Sequence, residues 1–189
     1  MKKTHWSELP DEKLVFAAIL GELRAFDELV LRYRPAVVRT ALGIVKSKET
    51  AEDVAQEALL LAFKALPDLN DMSRFPAWLY AITRHRALRY QEQYKKRQER
   101  HLPLDEMILR HSPALRAPPP DEPDDIKAEV RAAVECLPED YGTVIKLHYY
   151  DEMPLKRIAD FLDIPLSTVK WRLYKARKLI KGHMKVARK

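Results

Sequence analysis

Pro165-Leu-Ser-Thr-Val-Lys-Trp-Arg-Leu-Tyr-Lys-Ala-Arg-Lys-Leu-Ile-Lys181 reads as a helix with one thin apolar stripe and a broad cationic, aromatic face. At about 100° per residue, Val169, Leu173, Ala176 and Ile180 fall on one side. Lys170, Trp171, Tyr174, Lys175, Lys178 and Lys181 fall on the other. From Ser167 to Lys189 there are nine Lys or Arg and no Asp or Glu. The stripe is enough to dock the helix on a core, which leaves the rest free to meet a polyanion. A shorter helical pattern, Pro154 to Leu162, stands just before it. Helix, tight turn, then basic helix is the helix-turn-helix arrangement, whose second helix enters the major groove of DNA. Asp163 stands at the turn, where a left-handed residue is required and Asp is tolerated better than most.

Working outward, helical periodicity covers most of the chain, and only four of its 189 residues are glycine. The expected fold class is all-α: two small helical domains joined by a flexible Pro-rich linker, the C-terminal one a helix-turn-helix. Phe26 to Val45 is a long helical pattern, which Pro35 is expected to kink or divide. Thr50-Ala-Glu-Asp53 resembles a capping box that opens a helix running to Leu66, where Pro67 stops it. Asp68 to Ser73 is a turn-rich loop. Pro76 suits the first turn of a helix that continues through Trp78 to Arg100. Six prolines then fall between His101 and Pro123, too many for an ordinary helix. The expected division is an N-terminal domain over 1–100, a linker over 101–124 and a C-terminal domain over 125–189. Helices are expected from Asp125 to Cys136, after the Leu137-Pro-Glu-Asp140 break up to Tyr150, and over the final pair.

Charge narrows the function classes. The net charge of +6 and a pI near 9.3 fit a polyanionic partner but do not choose one. The one cysteine, Cys136, cannot form an internal disulfide and, beside Leu137 on an apolar stripe, is expected to be a buried thiol. No signal-peptide pattern and no apolar run of about 20 residues occurs, so a cytoplasmic protein without membrane insertion is expected. The six histidines show no metal-ligand spacing, and no phosphate loop or nucleophile elbow occurs. No catalytic residue, cofactor or metal is assigned.

Two further stretches carry chemistry. On the helix from Ala51 to Leu66, Val54, Ala58, Leu61 and Ala65, widened by Ala55 and Ala62, form the expected core stripe. Asp53, Gln56, Glu57 and Leu60 fall away from it, an acidic face with an apolar centre that suits a protein interface. Asp53 and Glu57 share a face, but no third ligand joins them for metal or acid–base work. The stretch 75–100 holds seven basic and two acidic residues interleaved with Trp78, Tyr80 and Tyr90, as suits unstacked bases. Trp78 and Ile82 are expected inside, Arg84 and Arg86 outside. Tyr141, His148, Tyr149 and Tyr150 are read as helix packing.

Three segments together resemble the extracytoplasmic-function sigma factors of bacterial RNA polymerase. They are Ala51-Glu-Asp-Val-Ala-Gln-Glu-Ala-Leu-Leu-Leu-Ala-Phe-Lys-Ala-Leu66, Phe75-Pro-Ala-Trp-Leu-Tyr-Ala-Ile-Thr-Arg-His-Arg-Ala-Leu88, and Leu137-Pro-Glu-Asp140 followed by Ile158-Ala-Asp-Phe-Leu-Asp-Ile-Pro-Leu-Ser-Thr-Val-Lys-Trp-Arg-Leu-Tyr-Lys-Ala-Arg177. The resemblance implies an N-terminal domain that binds core polymerase and the −10 element, and a C-terminal domain that binds the −35 element. It makes the Asp53, Gln56, Glu57 and Leu60 face the contact with the clamp helices of the polymerase large subunit. It places Asn70, Asp71, Arg74, Arg84, His85 and Arg86 at the −10 element, with the loop and position 85 forming a pocket for a flipped base. It places Ser167, Thr168, Lys170, Trp171, Arg172, Tyr174, Lys175 and Lys178 at the −35 element. Regulation by an anti-sigma factor is common in the family. The chain departs from the family pattern at Ala81 (often Arg), His85 (often Asn), Arg89 (often Asp) and Ser167 (usually Gly). The alternative is a two-domain helix-turn-helix regulator that does not join polymerase.

Overall fold

The computed structural model describes residues 5–101 and 125–187, and every regular element among them is helical. The eight α-helices are α1 (Asp11–Ile19), α2 (Leu23–Val45), α3 (Lys48–Ala65), α4 (Phe75–His101), α5 (Asp125–Glu135), α6 (Glu139–Tyr149), α7 (Leu155–Leu162) and α8 (Leu166–Ala187). The expected linker lies outside the described residues, except for His101, which ends α4.

The first four helices form one packed unit in which α2, α3 and α4 touch one another and α1 lies along α2. Pro35 neither divides nor ends α2. It lies on the exposed side near the exposed Leu31, where the carbonyl freed by its missing N–H is open to solvent. A left-handed Lys46 at φ 62° ends the helix. Helix α3 begins earlier than the Thr50 motif, because Ser47 is its N-cap and accepts a hydrogen bond from the Thr50 amide. Its buried stripe is Ala51, Val54, Ala55, Ala58 and Ala62. The expected stripe was displaced by part of a turn: Leu61 is 45% exposed and Ala51 is fully buried. These small residues allow close approach to α2 and α4. In α4, Trp78 and Ile82 are half-buried against the core and Thr83 returns its hydroxyl to the Leu79 carbonyl.

Before α1, a short 3₁₀ turn (Trp6–Glu8) is held to α2 by one side chain. Arg32 donates to the backbone oxygens of Trp6, Ser7 and Leu9 and to the carboxylates of Asp11 and Glu28. The buried Tyr33 hydroxyl donates to the other oxygen of Asp11.

The second unit is α5–α8, with α8 lying against α5, α6 and α7. Val169, Leu173 and Ala176 of α8 are buried, as the stripe requires. Asp163 takes the left-handed conformation, φ 54° and ψ 46°, between α7 and α8. Cys136 is exposed, contrary to expectation. Helix α5 ends at Glu135, so Cys136 sits in the turn and points outward while Ala133, Val134 and Leu137 point in.

Helix α4 packs on α7 and α2 touches α6, so one continuous apolar cluster runs through both units. Arg39 of α2 makes a double hydrogen bond to Asp151, whose side chain is only 5% exposed. That hydrogen bond, and the carboxylate charge, hold the guanidinium protonated above its ordinary range.

Candidate functional site

Three surfaces carry the residues singled out in the sequence. On α3, Asp53, Gln56, Glu57 and Leu60 are all exposed on the side opposite the alanine stripe. Leu60 is 52% exposed. Glu57 is not a free acid: Arg86 of α4 pairs with it through Nε and Nη2. Glu52 on the other flank pairs with Arg34 at 2.6 Å. Asp53 is thus exposed on the same face as two paired acids, and the uncovered Leu60 lies two turns further along the helix.

The second surface is the loop before α4 and the outer side of that helix. Asp71 caps the 3₁₀ turn Met72–Arg74, accepting from the Ser73 amide at 3.0 Å and the Ser73 hydroxyl at 2.6 Å. Those hydrogen bonds, the hydroxyl first, hold its carboxyl below the usual range. Asn70 is exposed next to it. Arg84 and His85 project outward from α4, while Arg86 is half-buried against Glu57. Arg74 is engaged: its Nη1 and Nη2 donate to the two oxygens of Asp163 at 3.0 and 2.8 Å. Burial raises the Tyr80 hydroxyl above its ordinary range.

The third surface is α8. Ser167, Lys170, Trp171, Tyr174 and Lys178 are exposed, and Thr168 and Lys175 are half-buried. The Lys175 ammonium lies 5.7 Å from the Trp171 ring centre, and Tyr141 meets that ring edge-on at 5.8 Å. Arg172 turns towards α6 and pairs with Asp140 at 2.7 Å. The exposed helix start, free of acids, presents backbone N–H groups suited to a phosphate. Tyr149 and Tyr150, expected to be helix packing, are both more than half exposed. Tyr149 accepts from Arg177 Nε at 2.8 Å and lies beneath its guanidinium. Arg177 and Tyr149 thus extend the cationic, aromatic surface. The available signal was Arg177 standing three residues after Tyr174. Among the described residues, no three His, Cys, Asp or Glu side chains are grouped to hold an ion, and no helix is long and apolar enough to cross a membrane.

These surfaces coincide with two family models. Sigma-70 region 2 matches residues 29–98 and Sigma-70 region 4 matches residues 127–180. The RNA polymerase sigma-H factor of Pseudomonas aeruginosa is 31% identical over 180 residues, covering 90% of this chain and 91% of the relative. The ECF RNA polymerase sigma-E factor of Escherichia coli K12 is 30% identical over 183 residues, covering 92% and 93%. In fold, the chain is similar to CnrH solved in complex with the cytosolic domain of CnrY, with a TM-score of 0.57 and 24% identity, covering 93% of this chain and 97% of that one. It is also similar to the sigma factor RpoE of Bartonella quintana solved with the anti-sigma factor NepR, with a TM-score of 0.51, 22% identity and coverage of 85% and 97%. The chain belongs to the sigma-70 family and is an extracytoplasmic-function RNA polymerase sigma factor.

Proposed function

We propose that this chain docks on core polymerase through the outer face of α3 and reads a promoter with two separate surfaces. The loop at 70–74 and the Arg84/His85 side of α4 meet the −10 element. Helix α8 enters the major groove at the −35 element. The observation that carries the reading is the open Lys170, Trp171 and Tyr174 face over a buried Val169, Leu173 and Ala176 stripe.

Within α8 the side chains divide by chemistry. Lys178 and the helix start suit phosphates, which set affinity without reading sequence. Arg172 can pair with a guanine edge, and to do so it must leave Asp140. In the loop, Asp71 Oδ1 accepts from both Ser73 groups and fixes the loop shape, and Asn70 and His85 have both donor and acceptor capacity to offer a flipped base. The chain performs no chemistry of its own and acts in the cytoplasm, where an anti-sigma factor is its regulatory partner, as NepR is the anti-sigma factor in the complex with RpoE of Bartonella quintana.

Transcription in vitro with core polymerase, followed by mapping of start sites, tests the reading. Defined starts that depend on the chain support it. A chain that binds DNA without co-purifying with core polymerase is the helix-turn-helix regulator instead.

A further inference from the structure

We propose that Asp140 is a positioning residue in promoter reading: it holds the Arg172 guanidinium against α6, competes with DNA for it, and so narrows the affinity gap between strong and weak −35 sequences. The proposal rests on the assignment of Arg172 to the −35 element above.

The two partners differ in freedom. Asp140 stands in the first turn of α6, where the N-cap Pro138 offers the backbone N–H groups no side-chain acceptor. The partial positive charge of a helix start favours a carboxylate there, and the aspartate side chain is short, so the anion stays in place. Arg172 has a long, flexible stem. Its Nη2 donates to Asp140 Oδ2 at 2.7 Å, and its side chain is 20% exposed against 69% for Asp140. It lies about 100° around α8 from Trp171, on the flank that meets α6 rather than on the open face. The arginine is therefore the partner that moves when DNA arrives. Lys170 and Lys178, on the open face, make no ion pair among the described residues. They reach phosphates without giving up a partner, so the opposition falls on Arg172.

That asymmetry has a sequence-dependent consequence. Where the facing base offers no matching pair of acceptors, Arg172 stays with Asp140 and nothing is lost. Where a guanine offers N7 and O6 to the fork, the arginine gains that contact but gives up the carboxylate. It also uncovers a negative charge beside a polyanion. Asp140 therefore opposes binding only to the sequences that Arg172 prefers, and removing it should widen the range between strong and weak promoters. An ion pair with one partner this exposed is weak, so the effect is about two- to fivefold. The neighbouring Glu139 is exposed and makes no ion pair among the described residues. Its charge repels every DNA sequence alike.

Equilibrium competition binding tests this, with the full chain in complex with core polymerase and promoters varied at each −35 position. The positions whose preference Arg172→Ala relaxes are those that Arg172 reads. Asp140→Asn keeps the shape of the side chain but removes the charge that holds the guanidinium. It should strengthen binding to the preferred −35 sequence about two- to fivefold more than binding to variants at those positions. Glu139→Gln makes the same change of charge one residue away and should strengthen all promoters alike. In an Arg172→Ala background, Asp140→Asn should act as Glu139→Gln does. Uniform strengthening by Asp140→Asn in the parent chain overturns the proposal, as does a selective gain that survives Arg172→Ala, or no gain. An Arg172→Ala chain that keeps the parental −35 preference removes the base-reading role of Arg172 and the competition with it. Relaxed preference in Arg172→Ala beside a uniform effect of Asp140→Asn overturns the competition alone.

Discussion

Shortening Leu60 to alanine separates docking from folding. Leu60 is 52% exposed and projects away from the alanine stripe that packs α3. Burying a whole leucine contributes about 2 kcal/mol. About half of that surface is still uncovered, so a partner that seals it gains about 1 kcal/mol. Losing it weakens binding about fivefold. Leu60→Ala should therefore raise the dissociation constant for core polymerase about fivefold in a fluorescence-anisotropy titration and leave the melting temperature unchanged. Leu66→Ala is the contrasting control. Leu66 is 1% exposed, and truncation there costs about 2–5 kcal/mol of stability. A Leu60→Ala chain that binds polymerase with parental affinity refutes the docking face. One that melts as early as Leu66→Ala refutes the premise that this side of α3 is free.

Three further outcomes follow from the geometry. Burial first, then the Asp11 carboxylate, push the Tyr33 hydroxyl far above its ordinary value of 10.0, and burial raises Tyr80 too. The unfolded chain ionises these phenols first, so their contribution is intact below about pH 10 and is lost as pH rises beyond it. Tyr33→Phe should reduce that alkaline loss in urea melts while lowering stability at neutral pH through the missing hydrogen bond to Asp11. In a promoter-variant panel, Arg172→Ala should relax preference at one or two −35 positions by about 1–3 kcal/mol, whereas Lys178→Ala should weaken all sequences alike and flatten the salt dependence; identical behaviour of the two defeats that division. His85→Asn should shift the preferred −10 base, with −35 preference and polymerase binding unchanged, and an unaltered −10 preference excludes His85 from the reading surface.

Much of the architecture is legible because local rules govern it. The Val169, Leu173 and Ala176 stripe follows from helical periodicity alone, and Asp163 meets the steric demand of its turn. Errors arise where a neighbour decides. The rotation of α3 depends on how α2 and α4 straddle it, so periodicity alone points Leu61 inward and passes over Ala51, whereas the structure exposes the first and buries the second. The start of α3 was set by Ser47 three residues upstream of a motif with the right spacing. Cys136 lies one residue past its helix, where periodicity no longer predicts direction. Pairs such as Arg39 with Asp151 and Arg86 with Glu57 join distant segments, and no pattern within a single helix announces them.

The Arg32 clasp has an evolutionary consequence. Three backbone carbonyls of the N-terminal turn are satisfied by one guanidinium whose side chain is 9% exposed. Lysine, with a single point of charge and no fork, cannot serve these acceptors together. Loss of the turn would strand the guanidinium's donors in a place that water reaches poorly. The turn and the arginine therefore depend on each other. Relatives that dispense with residues equivalent to Trp6–Leu9 should also have replaced Arg32, and those that keep the arginine should keep a carbonyl-bearing turn for it to hold.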